Sequence, residues 1–295
     1  MESELQKFSD GLAAAVEKAA QSVVSVDARH HVPASGIVWS ADGEILTADH
    51  VLQHDEQIGV TLPDGKTYPA KVLGRDPASD LALLKVDGAA LTAPEFVETG
   101  VKVGHLVFAV GRPDGVQATL GSVVTVGGAV HTRRRHFSAY IQTDVTMYPG
   151  FSGGPLVDAS GRILGLNSSA LVRGASLAIP VSAARAIADA LRRDGRVQHG
   201  YLGIGTQPVE LTDPLAAKLE QPTGLMIISV EKDSPAQKGG LLQGDVLVDL
   251  NGEAITDIYD LQATLGPETV GQTIPAKVVR GGELKNLKVT PGVRE

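Results

Sequence analysis

Three side chains in this sequence, His50, Asp80 and Ser152, combine type, order and surroundings into one unit of chemistry. His50 lies in Ile45-Leu46-Thr47-Ala48-Asp49-His50-Val51, and Asp80 in Asp76-Pro77-Ala78-Ser79-Asp80-Leu81-Ala82-Leu83-Leu84. Ser152 lies in Gly150-Phe151-Ser152-Gly153-Gly154-Pro155. A serine hydroxyl is a poor nucleophile at neutral pH, so a base has to take its proton as it attacks. Histidine does this when a carboxylate fixes its tautomer and stabilises the imidazolium that forms. The glycines let the backbone turn tightly and aim successive N–H groups at one point, where an oxyanion can be stabilised. The chemistry such a set supports is acyl transfer through a covalent serine intermediate.

Two rival motifs share these residues. Gly150-Phe151-Ser152-Gly153-Gly154 also contains Gly-x-Ser-x-Gly, the nucleophile elbow of strand–turn–helix hydrolases, in which the acid and then the histidine follow the serine. Here Gly154 leads into Pro155-Leu156-Val157, a strand pattern, and His199 is the sole histidine after Ser152. His50 and His54 have the spacing of zinc-peptidase helices, but Val51-Leu52-Gln53 between them lacks the glutamate such sites need. His30, His31, His105, His131 and His136 have no partner spacing and read as surface or satisfied core residues. No metal, nucleotide or other cofactor is expected.

The elements that position the three residues follow from composition and pattern. A chain of 295 residues can form two or three packed units, and 43% hydrophobic with 20% charged residues is ordinary for a soluble globular protein. Thirty-four glycines and 16 prolines against 4% aromatics point to many short strands joined by tight turns. A net charge of −8 argues against a general binder of nucleic acid or anionic membrane, and Arg133-Arg134-Arg135 reads as a solvated loop tip. The absence of cysteine excludes disulfides, cysteine nucleophiles and thiolate metal sites. No apolar stretch approaches the ~20 residues that span a bilayer. Met1 to Lys18 is polar and periodic, unlike a signal peptide. The expected location is cytoplasmic if Met1 is the native start, and extracytoplasmic, in the cell envelope, if an export or anchor segment has been removed.

Phe8, Leu12, Ala15, Val16 and Ala19 recur at helical spacing and predict a helix over 8–20. Strand-length runs follow at Ser22–Val26, Gly59–Leu62, Ala70–Leu73, Leu81–Val86 and Leu106–Val110. Turn signals separate them at Ala41–Gly43, Pro63–Gly65, Asp114–Gly115 and Ala159–Gly161. That rhythm predicts antiparallel barrels, closed by a helix over 181–194 that ends near Gly195. Residues 196–200 form a polar hinge, and the domains are expected at 1–197 and 198–295. The second has strand runs at Leu202–Ile204, Leu225–Val230, Asp245–Leu250, Ile274–Val279 and Leu284–Val289, with short helices near 234–239 and 257–265.

Taken with Gln142-Thr143-Asp144, Leu177-Ala178-Ile179-Pro180, Gly200-Tyr201-Leu202-Gly203-Ile204 and Gly240 to Gly252, these segments resemble the HtrA (Deg) family of serine proteases. The likeness runs from about Phe8 to Val289. It implies a mostly β fold, a trypsin-like double antiparallel β-barrel followed by an α+β PDZ domain, and the activity of a serine endopeptidase. His50 becomes the general base, Asp80 its orienter and Ser152 the nucleophile, with the backbone N–H groups of Gly150 and Ser152 as oxyanion hole. The S1 pocket positions fall on Met147, Ala170 and Leu177, all apolar, which implies cleavage after small or aliphatic residues. Tyr201, Leu202, Gly203 and Ile204 fall on the loop that binds peptide carboxylates. The implied partners are unfolded or damaged proteins, peptide C-termini, and two further copies of the chain in a homotrimer formed through the segment around Phe8. Phe151 stands where the family usually carries asparagine, so its bulk either narrows the S′ side or biases the oxyanion loop toward an inactive form. The loops Asp27–Pro33 and Ser168–Ser176 are short for the family.

Overall fold

Ser3 starts the first helix, α1 (Glu4–Ala20), by accepting a hydrogen bond from Gln6 N at 3.1 Å, with Glu4 in the first turn. That cap carries the helix four residues upstream of the apolar periodicity, while Ala15, Ala19 and Ala20 face the core. The computed structural model describes residues 3–29, 32–128, 130–132, 135–137, 139–171, 174–198 and 200–293, without the side chains of 130–132, 135–137, 259 and 268. His30, His31, Arg133, Arg134 and His199 lie outside the described residues, as do the side chains of His131, Arg135 and His136.

Six strands close the first barrel: β1 (Val23–Asp27), β2 (Ala34–Ser40), β3 (Glu44–Ala48), β4 (Ile58–Thr61), β5 (Thr67–Asp76) and β6 (Leu81–Val86), in the order β1-β2-β3-β6-β5-β4. β3 and nearly all of β6 are buried, so they read as continuous apolar runs. The second barrel takes β7 (Leu106–Gly111) and β8 (Gln117–Gly127). After the small hairpin β9 (Val130–Thr132) and β10 (Arg135–Phe137), it adds β11 (Tyr140–Thr143), β12 (Pro155–Asp158), β13 (Ile163–Ser168) and β14 (Ser176–Pro180). Its order is β11-β14-β13-β12-β7-β8, closed by β8 on β11. The closing helix α2 (Val181–Asp194) ends at Gly195, whose φ of 70° is the left-handed conformation of a helix C-cap.

Apart from a short segment at β9 that groups with the second unit, the chain divides into two compact units between Val197 and Gln198. The second unit is a sheet of β16 (Ile204–Glu210), β17 (Thr223–Val230), β18 (Val246–Leu250), β20 (Ile274–Arg280) and β21 (Glu283–Val289). The short strand β19 (Glu253–Ala254) pairs with β18, and β15 (Gly200–Tyr201) pairs with β22 (Gly292–Val293). Three short helices accompany them, α3 (Asp213–Leu219), α4 (Pro235–Lys238) and α5 (Ile258–Thr264). The expected strand over Leu202–Ile204 is instead mostly the link between β15 and β16, because Gly203 has φ 75° and breaks the extended run. α3 carries no buried residue, so it has no apolar stripe for a periodicity search to find.

Arg75 near the end of β5 ties down the segment that leaves β3. Its guanidinium donates to Asp49 Oδ1 (2.6 Å), Asp55 Oδ1 (2.5 Å), Asp49 O (3.2 Å) and Leu52 O (3.0 Å). Bonds of this charge-assisted kind each contribute more than neutral ones. Replacing Arg75 with alanine is expected to lower the stability of the first unit by about 2 kcal/mol. Urea unfolding followed through Trp39, the single tryptophan of the chain, reads this directly; an unchanged midpoint would contradict the assignment.

Candidate active site

The register of β3 against β6 brings His50 to Asp80. Ala48 pairs with Leu81, and one step further Asp49 N donates to Asp80 O at 3.0 Å. The chain then turns through a short helical turn, Asp49–Val51, that presents His50. Asp80 is wholly buried, with φ 62°, a conformation that non-glycine residues rarely adopt. His50 Nδ1 lies 2.9 Å from Asp80 Oδ2 and 3.0 Å from Oδ1, and the His50 backbone N–H donates to Oδ1 at 3.1 Å. Ser168 Oγ, at the end of β13, also donates to Oδ2. An ionised carboxylate only accepts, so Nδ1 carries the imidazole proton and Nε2 is left as the basic nitrogen. Burying a charge is costly unless its hydrogen bonds are made, and these three donors supply them.

The loop that carries Ser152 is held by both barrels. Phe151 N donates to Tyr148 O at 3.1 Å across Pro149 and Gly150, and Gly150 has φ 94°, the proline–glycine pattern of a type II turn. Ser35 on β2 grips the loop twice, its Oγ donating to Gly150 O (2.6 Å) and its N–H to Ser152 O (3.1 Å). Gly153 N donates to Asn167 O at 2.9 Å, and Asn167 N donates to Gly154 O at 2.8 Å. A Cβ on Gly153 would fall 2.0 Å from Ser35 O, so this position admits glycine alone. The N–H groups of Gly150 and Ser152 donate to no acceptor among the described residues, whereas those of Phe151, Gly153 and Gly154 all do. Two uncommitted donors beside a serine hydroxyl are the makings of an oxyanion hole.

Phe151 answers the first of the two sequence expectations. Its ring is fully buried among Val107, Ala109, Val123, Ile141 and Leu156 of the second barrel and meets Tyr148 edge-on, with centroids 5.8 Å apart. Its bulk therefore fills core rather than the S′ side, and burial of a phenylalanine contributes about 3 kcal/mol toward fixing the loop.

The hydroxyl of Ser152 is engaged by Ser169, Oγ to Oγ at 2.9 Å, with Ser169 N–H donating to Ser152 Oγ at 3.3 Å. Among the described residues it makes no hydrogen bond to His50. Ser168 and Ser169 were not legible as site residues from sequence. Their one signal is a pair of hydroxyls ending a buried strand, Ile163 to Ser168. Of the expected pocket residues, Met147 and Ala170 are partly exposed, and Ala170 N–H donates to Ser168 Oγ at 3.2 Å. Leu177 pairs with Ser168 across β13 and β14 and is packed into the core. Among the described residues no group of three or more histidine, aspartate or glutamate side chains is arranged to hold a metal ion.

In the second unit, Tyr201 ends β15 and its hydroxyl donates to Glu231. Leu202 is buried, with its carbonyl accepting from Ala236 N at 2.9 Å, and Gly203 O accepts from Glu231 N at 2.8 Å. A Cβ on Gly203 would lie 2.4 Å from Ser234 Cβ. The Leu202 and Gly203 N–H groups donate to no described acceptor, and Ile204 opens β16, the strand at the edge of the sheet. Free N–H groups ahead of an open strand edge fit a peptide that adds a strand and ends in a carboxylate.

Comparison with known proteins agrees with this anatomy. Residues 34–166 match the trypsin-like peptidase domain, and residues 200–290 match the PDZ domain. A Pseudomonas fluorescens protein named "Probable periplasmic serine endoprotease DegP-like" is 38% identical over 266 residues, covering 88% of this chain and 56% of its own length. A similarly named Chlamydia pneumoniae protein is 37% identical over 267 residues, covering 88% of this chain and 54% of its own. The chain thus spans little more than half the length of these relatives. The structure of the HtrA-type protease AlgW with tripeptide superposes with a TM-score of 0.77 at 32% identity, over 96% of this chain and 97% of that one. The serine endoprotease from Yersinia pestis superposes with a TM-score of 0.75 at 29% identity, over 96% and 98%. With both domains matched in order and the likeness running through nearly the whole sequence, the chain belongs to the HtrA (Deg) family of serine proteases.

Proposed function

We propose that this chain is a serine endopeptidase that hydrolyses unfolded or damaged proteins through the triad His50–Asp80–Ser152 and an acyl-enzyme. The observation that carries the reading is the His50 Nδ1 hydrogen bond to Asp80 at 2.9 Å, made by a histidine whose other nitrogen is free to act as base. Ser152 Oγ bonds to the substrate carbonyl carbon as its proton passes to His50 Nε2, and the Gly150 and Ser152 N–H groups hold the oxyanion. His50 returns that proton to the amine nitrogen, the C–N bond breaks and the amine leaves. Water then attacks the ester carbon, giving its proton to His50. The acid product departs and Ser152 regains its proton.

Residues 1–197 form the peptidase domain in this reading and residues 198–295 the peptide-binding domain. An extended, unfolded segment is the substrate because a folded one presents no free strand to a cleft. Met147, Ala170 and Leu177 make the S1 pocket apolar. The second domain takes peptide C-termini on the Leu202 and Gly203 N–H groups, raising the local concentration of substrate. Leu5 and Phe8, 76% and 55% exposed on α1, support assembly of a homotrimer through that helix. The curated relatives are named periplasmic, which supports a location outside the cytoplasm.

Incubation of the protein and its Ser152→Ala variant with casein tests the chemistry. Fragments are expected from the wild type alone, with termini that follow small or aliphatic residues. Fragments from both proteins, or cuts dominated by lysine and arginine, would refute the nucleophile or the pocket respectively. Titration calorimetry on the full-length Ser152→Ala protein tests the second domain. A peptide with a free C-terminus is expected to bind at least about tenfold more tightly than its amidated twin, since a carboxylate adds charge-assisted hydrogen bonds. Equal affinity would sink the carboxylate assignment.

A further inference from the structure

Ser152 Oγ has one proton and two lone pairs, and the chemistry proposed above sends that proton to His50. In the structure the hydroxyl is instead committed to Ser169, which contacts it with both its own hydroxyl (2.9 Å) and its backbone N–H (3.3 Å). The His50–Asp80 arm is complete at the same time, so the base is oriented while the nucleophile is turned elsewhere. The two serines at the end of β13 divide the work. Ser168 is buried and donates to the Asp80 carboxylate, and exposed Ser169 reaches the nucleophile. Nothing in the barrel requires the second contact, because Ser169 contributes no side chain to the core and its Oγ makes no other hydrogen bond among the described residues.

We infer that Ser169 is a latch on the nucleophile. Its hydroxyl holds Ser152 Oγ in a resting position, and this hydrogen bond breaks before each attack. Ser169 acts through Ser152 and is a positioning residue that sets how often the triad is assembled. The reading rests on Ser152 being the nucleophile.

The test uses a small fluorophosphonate, which lacks a peptide to bind and so reports the assembled triad alone. Ser152 Oγ displaces fluoride from phosphorus, the P–F bond breaking as the P–O bond forms, and the serine proton goes to His50. Ser169→Ala is expected to raise the rate constant for labelling of Ser152 about fivefold, the factor that one ordinary hydrogen bond is worth. Ser169→Thr, which restores the hydroxyl, is expected to bring the rate back toward the wild-type value. A residue with a merely structural role would slow labelling when truncated, and would leave an altered unfolding midpoint at Trp39. An alanine variant that labels at or below the wild-type rate overturns the latch while leaving the nucleophile assignment intact. Acceleration by threonine equal to that by alanine overturns it too, since the hydroxyl would then not be the cause. Absence of labelling in every variant overturns the latch and the nucleophile together.

Discussion

A carboxylate without access to water, Asp80, is the constraint on which the rest of the first unit is organised. Its side chain takes hydrogen bonds from His50 Nδ1, the His50 backbone and Ser168, donors supplied by the exit of β3 and the end of β13. These donors come from different barrels, so satisfying one buried charge also fixes the second barrel against the first. A lost donor would leave part of a buried carboxylate unsatisfied, a penalty of about 1–3 kcal/mol. The left-handed backbone of Asp80 is maintained against its own preference, as is common where function requires a particular direction of a side chain.

The Ser152 loop is fixed by a different kind of force. Phe151 is buried in apolar core, Gly150 and Gly153 adopt backbone conformations that suit glycine, and Ser35 clamps the turn from the first barrel. The loop is therefore anchored by packing and shape, whereas His50 is anchored by charge. This separation explains how the His50–Asp80 pair can be complete while the hydroxyl of Ser152 points to Ser169. Packing sets where the backbone goes, and it leaves χ1 of a small serine to be decided by single hydrogen bonds.

Much of this was legible in the sequence for reasons that can be named. The apolar run Leu81–Val86 is the buried strand β6, and the helix predicted over 181–194 is α2, because Ala184, Ala188 and Leu191 form a stripe ended by Gly195. His50, Asp80 and Ser152 stood out by type, order and flanking glycines. Ser168 and Ser169 did not, because adjacent serines at a strand end carry no mark of which one faces a partner far away in sequence. Arg75 was silent for the same reason, its four acceptors lying between Asp49 and Asp55. The consequence of Phe151 was not legible either, since a phenylalanine next to Ser152 does not reveal from sequence whether its ring turns into the core or away from it.

The most direct test of the account is the rate of fluorophosphonate labelling in the Asp80→Asn protein, with urea unfolding at Trp39 as a control for the fold. An asparagine keeps the shape but can present its amide to Nδ1, which reverses the tautomer and removes the basic Nε2. The account predicts labelling of Ser152 slower by about 10⁴-fold with the barrel still folded. A folded Asp80→Asn protein that labels within tenfold of the wild type would contradict the claim that this buried carboxylate makes His50 the base.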